Sequence, residues 1–554
     1  MVCSDKWVVQ LVVDQCALHG ITHWVFSPGS RNAPFALSLD NHPEMEATVI
    51  VDERSAAFYA LGLAEKTQKP VVLCCTSGSA PANYLPAITE AFYRNIPLLV
   101  VSADRPKAWI DQGDGQTIRQ GHLFHGFVHS TVHLEDAISN DENAWMYQRE
   151  TALLFSQLLE GGPAHINVGL SEPLYQSSEK TREFGRKILS FKNQNPSIET
   201  ITYLTRVIRE KKIMVLCGQM HPNPALLDAL VTFSQSANVA VLTENTANLP
   251  HERFNACIDR TLNAIKKESE SEYFPEVLIT LGGAVVSKRI KAFLRKAPLV
   301  AHIKVGNEFP SMDTYQQLSH TVECHPVAFF DALNQQDLGL ATHNFMGLWK
   351  TLDYRAKDRV FQFNPGSILS DFMVYQTLFN GLNEALILHM ANSSVIRYCQ
   401  LFDPLPSTEY YSNRGTSGID GCTSTAIGFA SKDDRKNLLI SGELSCLYDS
   451  NALQLATHSN LKVLVINNQG GGIFRIIDGA NTSPQRLTYL EASHQKNLSF
   501  AASLGWHYTA IKESKNLEHA IATLLASPQA AILEVFTDAN HSPSTLKEFY
   551  TFVA

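Results

Sequence analysis

Glu443 and Asn468 are the two side chains from which a chemical reading of this sequence starts. One apolar run, Asn437–Ser441, stops at Gly442-Glu443. Another, Lys462–Asn467, runs into Asn468-Gln469 and then Gly470, Gly471 and Gly472. Runs of this kind predict strands, with a helix that includes Ala452–Leu455 between them. A carboxylate and an amide oxygen on neighbouring strand ends are hard ligands suited to Mg²⁺. Glycines let backbone amides close on a phosphate, and a helix N-terminus there favours an anion. Short glycine motifs are also common in plain turns, so this stretch alone divides evenly between a metal–phosphate site and a simple connection.

Asp52-Glu53-Arg54 follow the run Ala47–Val51. Taken alone, such an acid reads as a helix N-terminal residue favoured by the helix dipole. Cations stand after other runs: Ser30-Arg31 behind Pro28-Gly29, and Arg105 behind Ser102-Ala103-Asp104, with Gln116 and Arg119 in the loop beyond. Lys288-Arg289 follow Gly282-Gly283, and Arg414 lies in Ser412-Asn413-Arg414-Gly415. Ser393 and Arg397 are one helical turn apart, so both can reach one anion from the same face. Each cation singly reads as a surface ion pair. Seven basic residues so placed, in a chain of net charge −9, point together to anionic substrates gripped by arginine forks. His122, His125, His129 and His133 have a spacing that could line one helix face. No cysteine or carboxylate frames them as a zinc set, and exposed or core histidines are the commoner case.

The elements that must hold these residues are strands and helices in alternation. His23–Ser27, Ala47–Val51, Pro70–Thr76 and Pro97–Asp104 are short apolar runs, with helical patterns such as Ser55–Lys66 and Ala82–Arg94 between them. A polar stretch, Ser177–Ser197, reads as a linker. A second block carries Ile213–Cys217, Val239–Thr243, Val277–Leu281 and Leu299–Ile303; a third carries Ala385–Met390, Asn437–Ser441, Lys462–Asn467 and Ala530–Phe536. This alternation predicts an α/β protein of three doubly wound parallel-sheet domains, at residues 1–180, 195–345 and 360–554. A chain of 554 residues exceeds what one core serves. Open parallel sheets take their ligands at the carboxyl ends of strands, which is where the residues above stand.

Composition narrows the class. With 45% apolar and 18% charged residues and no basic stripe, nothing favours nucleic acid. The ten cysteines are scattered without a C-x-x-C, as in reduced, buried thiols of a cytoplasmic protein. The first helix, from Trp7 to a glycine stop at Gly20, lacks the features of a signal peptide. No apolar stretch reaches the ~20 residues that span a bilayer, so membrane insertion is not expected. Neither the dinucleotide fingerprint nor a Walker loop is present.

The Gly442–Asn468 stretch resembles the thiamine-diphosphate motif, which opens Gly-Asp-Gly and closes Asn-Asn. Leu444 at the third place resembles the branch of 2-succinyl-5-enolpyruvyl-6-hydroxy-3-cyclohexene-1-carboxylate (SEPHCHC) synthases of menaquinone biosynthesis. Ser27–Arg31, Thr76–Asn83, Ser102–Pro106, Gln116–Gln120, Ser412–Gly421 and Asn467–Phe474 resemble that family in its order; the middle block is tied to it by Lys288-Arg289. Glu443 replaces the motif's Asp, keeping the charge on an arm one methylene longer, which bears on the choice of metal.

The resemblance implies a transferase that uses thiamine diphosphate with Mg²⁺, Mn²⁺ being an alternative. It implies that 2-oxoglutarate is decarboxylated and that the remaining carbanion adds to isochorismate. Glu53 is then the catalytic acid at the aminopyrimidine ring. Glu443, Asn468 and Gly470 are the metal set. Ser77, Gly78, Ser393, Ile419, Gly442, Leu444, Ser445 and Ile473 bind cofactor, with Ile419 as the wedge that bends it. Ser30, Arg31, Arg105, Gln116, Lys288, Arg289, Ser393, Arg397, Arg414, Phe474 and Ile477 bind substrate. The three blocks become pyrimidine-binding, middle and diphosphate-binding domains, and active sites shared between subunits imply a homodimer or homotetramer. Two other classes stand beside this one: a different thiamine-diphosphate 2-oxoacid decarboxylase or carboligase, which needs fewer arginines, and a non-catalytic relative.

Overall fold

The computed structural model describes all residues except 1, 138–139, 180–183, 193, 341–342, 406, 456–457 and 478–483, and except the side chains of 486–487. Its described strands form three parallel sheets and one short antiparallel pair. The N-terminal sheet runs, edge to edge, Glu46–Val49, His23–Phe26, Val71–Cys75, Leu98–Asp104, Ala164–Gly169, Ser130–Glu135. The C-terminal sheet runs Glu409–Tyr411, Ile387–Met390, Asn437–Gly442, Leu461–Asn467, Ala531–Phe536, His507–Ile511. Numbered in chain order within each sheet, both read 2-1-3-4-6-5. The middle sheet has five strands, Val239–Thr243, Ile213–Cys217, Val277–Leu281, Ala301–Val305 and His320–Val322. The expected α/β class with parallel sheets is the class observed.

Period-2 geometry explains why these runs are strands. In Ile213–Cys217, Ile213, Val215 and Cys217 point to one core and Met214 and Leu216 to another. Both faces are covered, so the strand reads as continuously apolar. The inner strands of the outer sheets, Val71–Cys75, Leu98–Asp104 and Leu461–Asn467, are buried at every position for the same reason. All ten cysteines are free and buried. No described helix is long and apolar enough to cross a membrane.

Contacts divide the chain into two compact units: Met1–Phe191 with Gly415–Asp434 and Ser445–Leu461, and Lys192–Arg414 with Arg435–Leu444 and Lys462–Ala554. In the first unit, helix Glu53–Thr67 packs against helix Cys422–Ala430. The crossing is close because two glycines face it. A Cβ on Gly62 would stand 1.9 Å from the Thr425 carbonyl oxygen, and one on Gly428 2.0 Å from that of Tyr59.

Three readings of the sequence are corrected. His122 lies in a 3-10 turn and His133 on strand Ser130–Glu135, so the histidines do not share a helix face. The helix after Glu443 stops at Tyr448, and Ala452 belongs to the 3-10 turn Ser450–Gln454. At the interruption, the buried Asp449 side chain accepts hydrogen bonds from the Ser424 amide at 2.7 Å and hydroxyl at 2.8 Å. The start of the supposed linker, Ser177–Glu179, pairs antiparallel with Val2–Ser4, and the Phe184 amide donates to Asp14 at 2.8 Å.

Candidate active site

A strand order of 2-1-3-4 places a topological switch between the first and third strands, where a crevice opens at the carboxyl ends. In the C-terminal sheet those strands are Ile387–Met390 and Asn437–Gly442. Ser393 follows the first and Glu443 the second, with Asn468 at the end of the next strand over. Glu443 is 1% exposed, and its Oε1 accepts the Gly470 amide at 2.7 Å. Burial pushes its carboxyl up to about 8, against the pull of its own backbone amide and that of Gly470; nearby Asp371 pushes the same way. Desolvation of this size disfavours a bare carboxylate and favours one matched to a cation. His494 Nε2 lies 3.4 Å from the same oxygen, and burial lowers that imidazole's pKa.

Asn468 is buried, with its Nδ2 donating to Asp371 at 3.0 Å. Its Oδ1 is buried too and has no hydrogen-bond partner among the described residues. A carboxylate that burial holds above its usual range and an orphaned amide oxygen, on adjacent strand ends, fit a small hard cation. Gly470 has a φ of 157°, and a Cβ there would lie 2.9 Å from the Glu491 carbonyl oxygen. Ile473 is buried and Phe474 half-buried on the 3-10 turn Gly472–Arg475, whereas Ile477 is 41% exposed.

Ser393 has φ 71° and ψ −123°, a strained conformation for a residue with a Cβ. The Arg397 guanidinium donates to the Ser393 carbonyl oxygen at 2.9 Å, so the two meet through the backbone as well as along one face. Burial lowers the Arg397 pKa, and Asp259 and Tyr550 oppose that shift. Arg289 stacks over the Tyr550 ring at 4.4 Å and donates to Asn263 at 2.8 Å. Asp259 lies within electrostatic reach of both arginines. Arg414 donates to Asn392 at 2.7 Å. Lys288 is exposed on the first turn of helix Lys288–Lys296. Half-buried Lys291, one turn further, is the lysine that feels Glu244, and the sequence reading missed it. Asp371, Asp259 and Glu244 were missed as well. Each lies far in sequence from the residues it serves, and Asp371 looks like any acid in a first helical turn.

In the first unit the switch lies between His23–Phe26 and Val71–Cys75. Gly29 and Thr76 touch there: a Cβ on Gly29 would stand 2.3 Å from the Thr76 Cβ. Ser77 is buried, and the Gly78 amide, at φ 84°, donates to Gln120 at 2.9 Å. Gln116 lies against Gly78. Ser30 is exposed, while Arg31 is 4% exposed. Arg31 donates to the Leu170 carbonyl oxygen at 2.9 Å and pairs with Glu172 at 3.1 Å. Arg105 pairs with Asp114 at 2.7 Å. Each of these two arginines therefore has a protein counter-charge.

Glu53 opens helix Glu53–Thr67, half-buried, and accepts a hydrogen bond from Asn83 Nδ2 at 3.2 Å. Asp52 is the N-cap, accepting from the Arg54 and Ser55 amides, which leaves the Glu53 carboxyl to project from the helix end. In the same unit the Ser445 hydroxyl donates to the Ile419 carbonyl oxygen at 2.6 Å, and buried Glu90 accepts the Gly415 amide at 2.8 Å and the Thr416 amide at 2.6 Å.

Parallel sheets with acids and glycine turns at their switch points are the frame of a thiamine-diphosphate-dependent enzyme. The family "Thiamine pyrophosphate enzyme, N-terminal TPP binding domain" matches residues 6–123. Full-length relatives go further. The chain is 38% identical over 553 residues to the SEPHCHC synthase of Flavobacterium johnsoniae, covering 98% of each chain. It is 37% identical to that of Flavobacterium psychrophilum, again over 98% of each. With that of Porphyromonas gingivalis it shares 35% identity over 100% of this chain and 98% of the relative. The chain belongs to the SEPHCHC synthase family.

Proposed function

We propose that this chain decarboxylates 2-oxoglutarate and joins the four-carbon remainder to the ring alkene of isochorismate, giving SEPHCHC and CO₂ for menaquinone biosynthesis. The observation that carries the reading is the pairing of buried Glu443 with the buried Oδ1 of Asn468, which has no partner among the described residues, on neighbouring strand ends, in a chain similar along its whole length to SEPHCHC synthases. Bound thiamine diphosphate supplies the electron sink for the decarboxylation.

The protein's residues do the rest. Glu443, Asn468 and the Gly470 backbone would hold Mg²⁺, and the longer glutamate arm would let the site take Mn²⁺ as well. Gly442, Leu444, Ser445, Ser77, Gly78, Ser393 and Ile473 would line the cofactor, and Ile419 would pack against it. Glu53 holds a proton at the aminopyrimidine ring nitrogen and shuttles it during activation. Arg289, Arg397 and Arg414, with Lys288, meet substrate carboxylates; Arg31, Arg105, Ser30 and Gln116 form the second anionic locus, and Phe474 and Ile477 shape the apolar side. Residues 1–180, 195–345 and 360–554 act as pyrimidine-binding, middle and diphosphate-binding domains of a cytoplasmic homodimer or homotetramer with active sites between subunits.

The test is direct. Purified protein with thiamine diphosphate, Mg²⁺, 2-oxoglutarate and isochorismate should release CO₂ and yield the adduct mass, each requiring all four additions. Turnover of 2-oxoglutarate without adduct would assign the chain to the simple 2-oxoacid decarboxylases instead. No turnover with intact cofactor binding would make it a non-catalytic relative.

A further inference from the structure

Asp371 has no place in the set of residues proposed to hold cofactor, metal or substrate, yet it is wired to one of them. It opens helix Asp371–Gly381, is 4% exposed, and spends both carboxylate oxygens inside the protein. Oδ1 accepts the Thr537 hydroxyl at 2.6 Å and the Ser542 hydroxyl at 3.1 Å; Oδ2 accepts Asn468 Nδ2 at 3.0 Å. The Asp371 amide donates to the Ser542 hydroxyl at 3.0 Å, so the carboxylate is held from two sides.

An ionised carboxylate only accepts hydrogen bonds. It can face the NH₂ end of the Asn468 amide but not its oxygen, and it thereby selects one of the two flip states of that amide. The selected state is the one that leaves Oδ1 buried and without a partner among the described residues, while the Asn468 backbone amide meets the Glu443 carboxylate. Outer partners that orient a metal ligand are worth about 10–100-fold in metal affinity.

We propose that Asp371 is a positioning residue for the divalent cation: it locks the Asn468 amide so that its oxygen, and not its NH₂, is left for the metal. This inference rests on the reading that Glu443, Asn468 and Gly470 hold the metal.

The experiment is a titration of Mg²⁺ at fixed thiamine diphosphate, followed calorimetrically without substrate, on the full chain. Asp371→Asn presents an NH₂ or an unheld oxygen to Asn468 and frees its amide to flip. The metal half-saturation should rise about 10–100-fold, while Ser542→Ala, which removes two Asp371 bonds, neither of them to Asn468, leaves it within a few-fold of wild type. The reversed pair Asp371→Asn with Asn468→Asp restores a donor facing an acceptor and still offers the metal an oxygen. It should recover at least part of the lost affinity, and it serves as the deciding variant if the single one does not fold. An unchanged half-saturation in Asp371→Asn, or a folded double variant no better than the single or with no metal binding, overturns the proposal. Asn468→Ala separates the two readings. If it weakens metal binding while Asp371→Asn does not, only the positioning role fails; if it has no effect, the assignment of the metal site itself fails.

Discussion

The Gly470 amide donates to Oε1 of Glu443 across 2.7 Å and so ties together the ends of two neighbouring strands. The glutamate arm, one methylene longer than the aspartate of the motif this stretch resembles, therefore ends against the backbone of the glycine turn.

That geometry bears on the metal. Glu443→Ala should abolish metal-dependent binding of thiamine diphosphate, because it leaves Asn468 as the lone side-chain ligand. Glu443→Asp should keep or improve Mg²⁺ dependence, since the octahedron is strict about ligand placement. Calorimetric titrations with Mg²⁺ and with Mn²⁺ read both. An alanine variant as tight as wild type would remove Glu443 from the metal.

Glu53 projects from a helix end capped by its neighbour Asp52 and accepts a hydrogen bond from Asn83. Glu53→Gln keeps shape and removes the exchangeable acid. Turnover should fall by about 10²–10⁴, the usual range for a positioned acid–base group, with the melting temperature little changed. A variant with near-normal turnover would mean that the proton is held elsewhere.

Arg397 is backed by Asp259 and Tyr550 and anchored on the Ser393 carbonyl. Arg397→Ala should raise the 2-oxoglutarate KM by about 100-fold or more, from the ~3–5 kcal/mol cost of deleting one partner of a buried charge pair. Thiamine diphosphate affinity should change little. The opposite split, with cofactor binding lost and KM kept, would place Arg397 at the cofactor.

Glu244 is 3% exposed and accepts the Val286 amide at 2.6 Å and the Ser287 amide at 2.8 Å. Burial pushes it up to about 7, with Asp259 adding and the two amides and Arg414 opposing; Lys291 also faces it. In the unfolded chain it titrates near its ordinary value of 4.5. Between these values the folded state holds a proton that the unfolded chain has released, so this contribution is complete below about 4.5 and is lost as pH rises through about 7. The loss is on the order of 3 kcal/mol. Melting curves from pH 5 to 8 should slope downward in wild type and more gently in Glu244→Gln; parallel slopes would show that Glu244 is ionised throughout.

The class of fold was legible because a strand covered on both faces must be apolar at every position, and such runs stand out as they do in Ile213–Cys217 and Val71–Cys75. The candidate residues were legible because Glu443, Asn468 and the glycine run are local in sequence. Lateral strand order was not legible: backbone hydrogen bonds carry no side-chain signature, so nothing in the runs says that His23–Phe26 neighbours Val71–Cys75. That order makes the switch points and hence the crevices. The counter-charges are equally non-local. Glu172 reaches Arg31, and Asp371 reaches Asn468, across long stretches of chain, and only the folded structure brings them together. The histidine series failed as a helix face for a related reason, since spacing implies a shared face only once the backbone is known to be helical, and here His133 went into a strand. The sequence by itself determined which side chains are available for chemistry; tertiary structure decided which of them are paired, which are held in one orientation, and which amide oxygen is left without a partner among the described residues.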